Sequence, residues 1–110
     1  MMMRSMCLAL LAGLTLAGCG NDNRPVFDGA QFRANLNADR DDARNFVVEV
    51  RDADKTLTGA REAGRHEAVR HCIETFGNSR IDWVQGPDAA DGTLRIENGN
   101  LILTGQCVGW

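Results

Sequence analysis

TLRIENGNLILTGQ, residues 93–106, carries the clearest local signal in the chain. Apolar and polar residues alternate on both sides of Asn98-Gly99, the pair favoured at the two positive-φ positions of a type I′ turn. The stretch predicts a β-hairpin. Pairing outward from the turn sets Ile96 opposite Leu101 and Leu94 opposite Leu103 on one face. The same period of two carries that face on to Gly105 and Cys107. Cys107 is therefore expected to point at the core.

Upstream, the period changes from two to helical between Thr58 and Phe76, with Thr58 as the expected N-cap and Gly77-Asn78 as the stop. The stripe expected to be buried is made of small residues. Ala60, Gly64, Ala68 and Cys72 recur every four positions and lead to Phe76, with Val69 and Ile73 alongside. Such a stripe lets a helix lie close on a sheet, and Gly105 is expected where the helix comes nearest. The helix and hairpin periodicities converge on a Cys72–Cys107 disulfide. On the other helix face stand Arg61, Glu62, Arg65, Glu67, Arg70 and Glu74. With the i,i+4 pairs Glu62/His66, Glu67/His71 and Arg70/Glu74, they read as a solvated surface.

Before the helix, Phe32, Ala34 and Leu36 alternate with Gln31, Arg33 and Asn35, and Phe46, Val48 and Val50 alternate with Val47, Glu49 and Arg51. These are two half-buried strands expected to pair. Asn37 to Asn45 reads as the turn between them. Its Asp39, Asp41 and Asp42 lack the loop glycine and closing glutamate of a calcium loop. After the helix, Arg80 to Gln85 predicts a short strand with Ile81 and Trp83 on one side, stopped by Gly86-Pro87, and Asp88 to Gly92 reads as an acidic, flexible loop. The expected architecture is α+β: about five antiparallel strands in the order β-β-α-β-β-β, one helix packed on one sheet face, and one disulfide.

At the other end of the chain, Arg4 precedes an uncharged, mostly apolar run from Met6 to Leu16, followed by Leu16-Ala17-Gly18-Cys19. About eleven apolar residues fall short of the roughly 20 needed to cross a bilayer as a helix, and the layout is that of an export signal. The tetrapeptide resembles the lipobox of bacterial lipoproteins. The resemblance implies cleavage before Cys19, which would carry acyl chains. It divides the chain into a signal peptide at 1–18, a lipidated cysteine and short tether at 19–25, and one periplasmic α+β domain at 26–110. Gly59-Ala60-Arg61-Glu62-Ala63-Gly64-Arg65, Cys72-Ile73, Ile81-Asp82-Trp83 and Gly86-Pro87 further resemble a recurrent core of small alphaproteobacterial lipoproteins, which implies fold and location but no activity. The resemblance also leaves Cys72 and Cys107 as a pair in an oxidising compartment, since Cys7 departs with the peptide and Cys19 is lipidated. Gly20-Asn21 lacks an Asp next to the lipidated cysteine, a feature that resembles an inner-membrane retention signal, so the outer membrane is the expected address.

The full chain carries 12 basic and 15 acidic side chains, a net charge of −3; loss of Arg4 with the peptide leaves 11 against 15. An acidic domain argues against nucleic acid as a partner, and membrane association is expected through acyl chains on Cys19. His66 and His71 are five apart, which on a helix turns them about 140° away from each other, unlike zinc ligands at i,i+4. Ser79 lies in no Gly-x-Ser-x-Gly setting, and Cys72 is assigned to the disulfide. No catalytic residue, metal ligand or cofactor is expected, and the chain reads as a non-enzyme. What remains is the sheet face away from the helix: Arg33, Glu49, Arg51, Arg95, Thr104 and Gln106, with Val47, Ile102 and Val108 among them. The expected function is a membrane-anchored protein-interaction or envelope-maintenance module that docks an envelope protein. The alternative is a binder of a small envelope solute or peptidoglycan fragment, in a pocket near Trp83 and the Asp88 to Gly92 loop. Trp110 is expected to lie over a sheet edge.

Overall fold

The computed structural model describes residues 24–108. The stretch read as a signal peptide, the Cys19 read as lipidated and Trp110 lie outside them. Along the chain come β1 (Val26–Phe27), β2 (Ala30–Gln31), β3 (Ala34–Ala38), β4 (Asn45–Val50), α1 (Leu57–Phe76), β5 (Ile81–Gln85), β6 (Arg95–Glu97) and β7 (Asn100–Cys107). β1 and β2 form a small hairpin of their own. The other five strands make one antiparallel sheet in the order β3-β4-β7-β5, with β6 also paired to β7, and α1 packs on one face of it. Among the described residues, the α+β class, one helix on one sheet face and the disulfide are as the sequence predicts.

β7 is central because every second residue of it is fully apolar or small on the helix side. Leu101, Leu103, Gly105 and Cys107 meet Val50, Val48 and Phe46 of β4 across the ladder and are buried. Against this layer α1 lays Gly59, Ala60, Ala63, Gly64, Ala68 and Cys72. A Cβ on Gly64 would come 2.5 Å from Leu103 Cδ1 and 3.2 Å from Val50 Cγ2, so the helix approaches as closely as the backbone allows. Cys72 and Cys107 are bonded, their Cα atoms 5.6 Å apart.

Gly105 has a different role from the one expected of it. The atoms nearest its absent side chain are Phe46 Cζ, Trp83 Cε3 and the Asp82 carbonyl, so it makes room for two strand aromatics rather than for the helix. Phe46 and Trp83 meet edge to face, centroids 5.7 Å apart.

Asn98 (φ 55°) and Gly99 (φ 81°) turn between β6 and β7 in the register read from the sequence, Ile96 opposite Leu101. The first arm of that hairpin is short. It stops at Arg95 because a 3₁₀ turn at Asp91–Thr93 precedes it and β5 occupies the rest of the same β7 edge, from Thr104 to Cys107. Ile96, expected in the core, is 46% exposed at the hairpin tip, and Leu94 packs against the core in its place.

Three further boundaries differ from expectation. The helix cap is Thr56 rather than Thr58: Thr56 is extended (φ −164°) and its hydroxyl accepts from the Gly59 N–H at 3.3 Å. β3 begins at Ala34 and runs to Ala38, because Asn37 and Ala38 pair with Val47 and Phe46 at the start of β4. Gln31 belongs instead to the β1–β2 hairpin, whose Asp28-Gly29 turn (φ 49° and 77°) escaped the reading even though Asp-Gly is a strong hairpin signal. At the other end of α1 the expected stop holds, with Gly77 left-handed (φ 80°) and its N–H bonded to the Ile73 carbonyl.

Candidate functional site

The sheet face away from α1 is assembled by register. Asn35, Glu49, Ile102 and Arg95 form one cross-strand row, and Asn37, Val47, Thr104 and Gln85 the next. Asn45, Gln106 and Asp82 form a third, while Arg33 and Arg51 meet at the margin, where the Arg51 N–H donates to the Arg33 carbonyl. Of the six residues expected on this face, strand alternation places Glu49, Arg95, Thr104 and Gln106 there, whereas Arg33 and Arg51 lie just outside β3 and β4 and border a cavity that also reaches Ala63, Glu67 and Arg70 of α1.

Their side chains are partly engaged with one another. Arg95 pairs with Glu97 at 2.6 Å, Arg51 lies 3.8 Å from Glu49, and Gln106 Nε2 donates to Asn45 Oδ1 at 2.9 Å. The exposed pairs each contribute a fraction of a kcal/mol, so the face is electrostatically mixed rather than locked. Ile102, expected to be exposed, is buried: its row places it between Glu49 and Arg95. The exposed apolar groups are Val47 at 42% and Val84 at 82%. They line a shallow concavity of about 480 Å³ with Thr104, Gly105, Phe46 and Asn37.

Two cavities of about 740 and 510 Å³ meet where β3, the β4 end and the first described residues come together, and Arg24, Arg33 and Arg51 line both. Arg70 joins the larger, with Glu67 and the apolar Phe32, Ala34 and Ala63; Lys55 joins the smaller. The chain before β1 is held here, since Gln31 Nε2 donates to the Arg24 carbonyl at 3.1 Å. The end of the stretch read as a tether thus lies against the domain.

The expected pocket beside Trp83 is differently built. Trp83 is packed on Phe46, and the loop read as flexible is fastened to the helix. Arg61, its side chain 18% exposed, donates to the Pro87 and Ala89 carbonyls at 3.2 and 2.8 Å and pairs with Asp91. Arg65 pairs with Asp88, whose hydrogen bond raises the guanidinium pKa further above its ordinary range. The helical pattern alone places both arginines on the solvated face. The alternation of basic helix residues with an acidic loop was the available signal, but nothing local says that the loop folds back on α1. The i,i+4 pairs to histidine are replaced as well. His66 stacks at a tilt on Phe27, and His71 Nε2 is 2.9 Å from the Ala43 carbonyl. Arg70 pairs with Glu67 and Glu74.

Among the described residues, no three His, Cys, Asp or Glu side chains cluster as metal ligands would, and no helix is long and apolar enough to cross a membrane. Comparison of the chain with protein-family models, curated proteins and solved structures found no match.

Proposed function

We propose that this chain is a membrane-anchored periplasmic lipoprotein, held through acyl chains on Cys19 to the periplasmic leaflet of the outer membrane. Its folded domain is a non-enzymatic interaction module that serves the cell envelope by docking a protein partner on the open sheet face. One observation carries the docking surface: Glu49, Arg95, Thr104 and Gln106 share one sheet face with the exposed Val47 and Val84, and Arg33 and Arg51 stand at its margin. Charges of both signs around a small apolar centre are the composition of a protein-docking surface. The anchor reading is supported by the sequence Leu16-Ala17-Gly18-Cys19 behind a short apolar run.

The test is in-cell crosslinking and affinity purification of three forms: wild type, Cys19→Ala exported behind a non-lipoprotein signal peptide, and Val47→Glu/Arg95→Glu on the face. A partner captured by wild type and lost from the face variant supports docking, and its loss from Cys19→Ala shows that the anchor brings the two together. Identical captures from wild type and the face variant would overturn the docking surface.

A second reading is favoured by the shared arginine lining of the two cavities. Arg24, Arg33 and Arg51 there suit a carboxylate-bearing envelope solute such as a peptidoglycan fragment. Thermal shift of the full chain across such solutes, repeated with Arg33→Ala and Arg51→Ala, separates the readings. A shift abolished by both substitutions supports the solute; no shift with any solute removes it.

A further inference from the structure

β3 is one margin of the sheet, and its backbone polarity can be assigned. The Arg51 N–H donates to the Arg33 carbonyl and the Asp39 N–H to the Asn45 carbonyl, both at 2.9 Å. Odd-numbered residues of this segment therefore aim their backbone groups at β4. In an antiparallel strand the alternate residues aim theirs the other way, so the N–H and C=O of Ala34, Leu36 and Ala38 face outward at the sheet margin. Ala-Asn-Leu-Asn-Ala contains no proline, no bulge and no charge, the devices that usually keep such a margin from pairing.

We propose that a second copy of this chain pairs with β3, strand against strand and antiparallel, about a two-fold axis through Leu36. That register is the one in which every outward-facing residue meets another: Ala34 opposite Ala38, Leu36 opposite Leu36, and Ala38 opposite Ala34. Opposed residues in an antiparallel pair share a face. On the helix side the pairing therefore gathers Leu36 and the alanines of both copies, and on the open side it sets Asn35 opposite Asn37.

One step further out it sets Arg33 of one copy opposite Asp39 of the other, twice by symmetry. These are non-hydrogen-bonded positions, where facing side chains come closest. The strand is thus self-complementary in hydrogen bonding, in apolar character and in charge, as an isologous interface requires. The margin is also accessible: a cavity of about 660 Å³ opens along it, lined by residues 34–37, by Glu49 and Arg51, and by Glu67, Arg70 and Glu74 of α1. The pairing joins the two five-stranded sheets into one and leaves the Val47–Val84 concavity free on each copy.

The test uses full-length chains carrying different tags, co-expressed, with pull-down and native mass spectrometry as readouts. Wild type is expected to dimerise. Arg33→Asp alone and Asp39→Arg alone place like charges opposite each other and should each weaken self-association by about tenfold or more. The Arg33→Asp chain mixed with the Asp39→Arg chain restores both ion pairs, so the mixed dimer should form where neither variant dimerises by itself. Ala38→Pro removes an outward N–H without touching the β3–β4 ladder and should give a folded monomer, its melting temperature showing that the fold is kept. A wild type that is monomeric at all concentrations would overturn the proposal, and capture of an extended segment of another protein would then name the occupant. A dimer indifferent to the charge substitutions, or a mixed pair that does not associate, would overturn it equally.

Discussion

The two margins of the sheet are finished in opposite ways. Along β5 the ladder is interrupted between Trp83 and Gln85, Gly86-Pro87 ends the strand, Gln85 Nε2 donates to the Thr93 carbonyl, and Arg61 and Arg65 tie the following loop down onto α1. The disulfide closes that side from within. Along β3 the five residues run regularly, and the margin meets solvent beside an open cavity. A bulged strand cannot extend its ladder, whereas a regular one can. The β5 side is where the fold is fastened, and the β3 side is where a surface able to pair remains.

Breaking the closed margin should have the largest effect. Replacing Cys72 and Cys107 together by Ala opens a loop of about 36 residues and should cost about 3–4 kcal/mol in the chain-entropy model, a large part of a small domain's stability. Denaturant titration of the full chain, wild type against variant, measures it. Gly105→Val comes next. Its Cβ would lie about 3.1 Å from both Phe46 Cζ and Trp83 Cε3, so the edge-to-face pair must part, at about 2 kcal/mol. The same titration, with tryptophan fluorescence as the signal, follows both the loss and the movement of Trp83.

Arg61→Ala should cost about 1–2 kcal/mol, because it removes a largely buried donor to two loop carbonyls. It should also raise amide hydrogen exchange across residues 88–91 while leaving β3 unchanged. An equal rise along β3 would show that the two margins are not independent.

At the β3 end, Asp42 makes the smallest difference. The Arg44 side chain and backbone N–H both bond its carboxylate and hold its pKa below the ordinary 3.8. A carboxylate whose folded pKa is depressed stabilises the fold above its unfolded pKa and loses that contribution as pH falls through the folded value. Wild type should therefore exceed Asp42→Asn in melting temperature slightly at pH 7, and the gap should close below about pH 4 and shrink with salt, since the pair is at the surface.

How much of this was legible depends on how far apart the partners are in the chain. Asn98-Gly99 sets its own turn, and the Leu101/Leu103/Gly105/Cys107 face and the Ala60/Gly64/Ala68/Cys72 stripe follow from repeat alone, so the disulfide could be read from two periodicities. The Asp28-Gly29 hairpin was equally local and was missed because its arms are two residues each. For the candidate face, alternation puts Glu49, Arg95, Thr104 and Gln106 on one side, while Arg33 and Arg51 fall beyond the ends of their strands. That Ile102 sinks between Glu49 and Arg95 depends on which strands flank β7, and no single strand carries that information.

The hairpin, the small-residue helix, the α+β class and the pairing of Cys72 with Cys107 follow from local chemistry, because each rests on side-chain period and backbone preference within a short stretch. Long-range packing is what sets β7 between β4 and the β5/β6 pair, lets Gly64 rather than Gly105 admit the helix, and brings Arg61 and Arg65 onto a loop about 25 residues away. It also decided that β3 is left at the margin with its outward backbone groups unspent by β4. These are outcomes of competition among distant segments for the same strand edges and the same core, settled by total burial and hydrogen bonding rather than by any local preference.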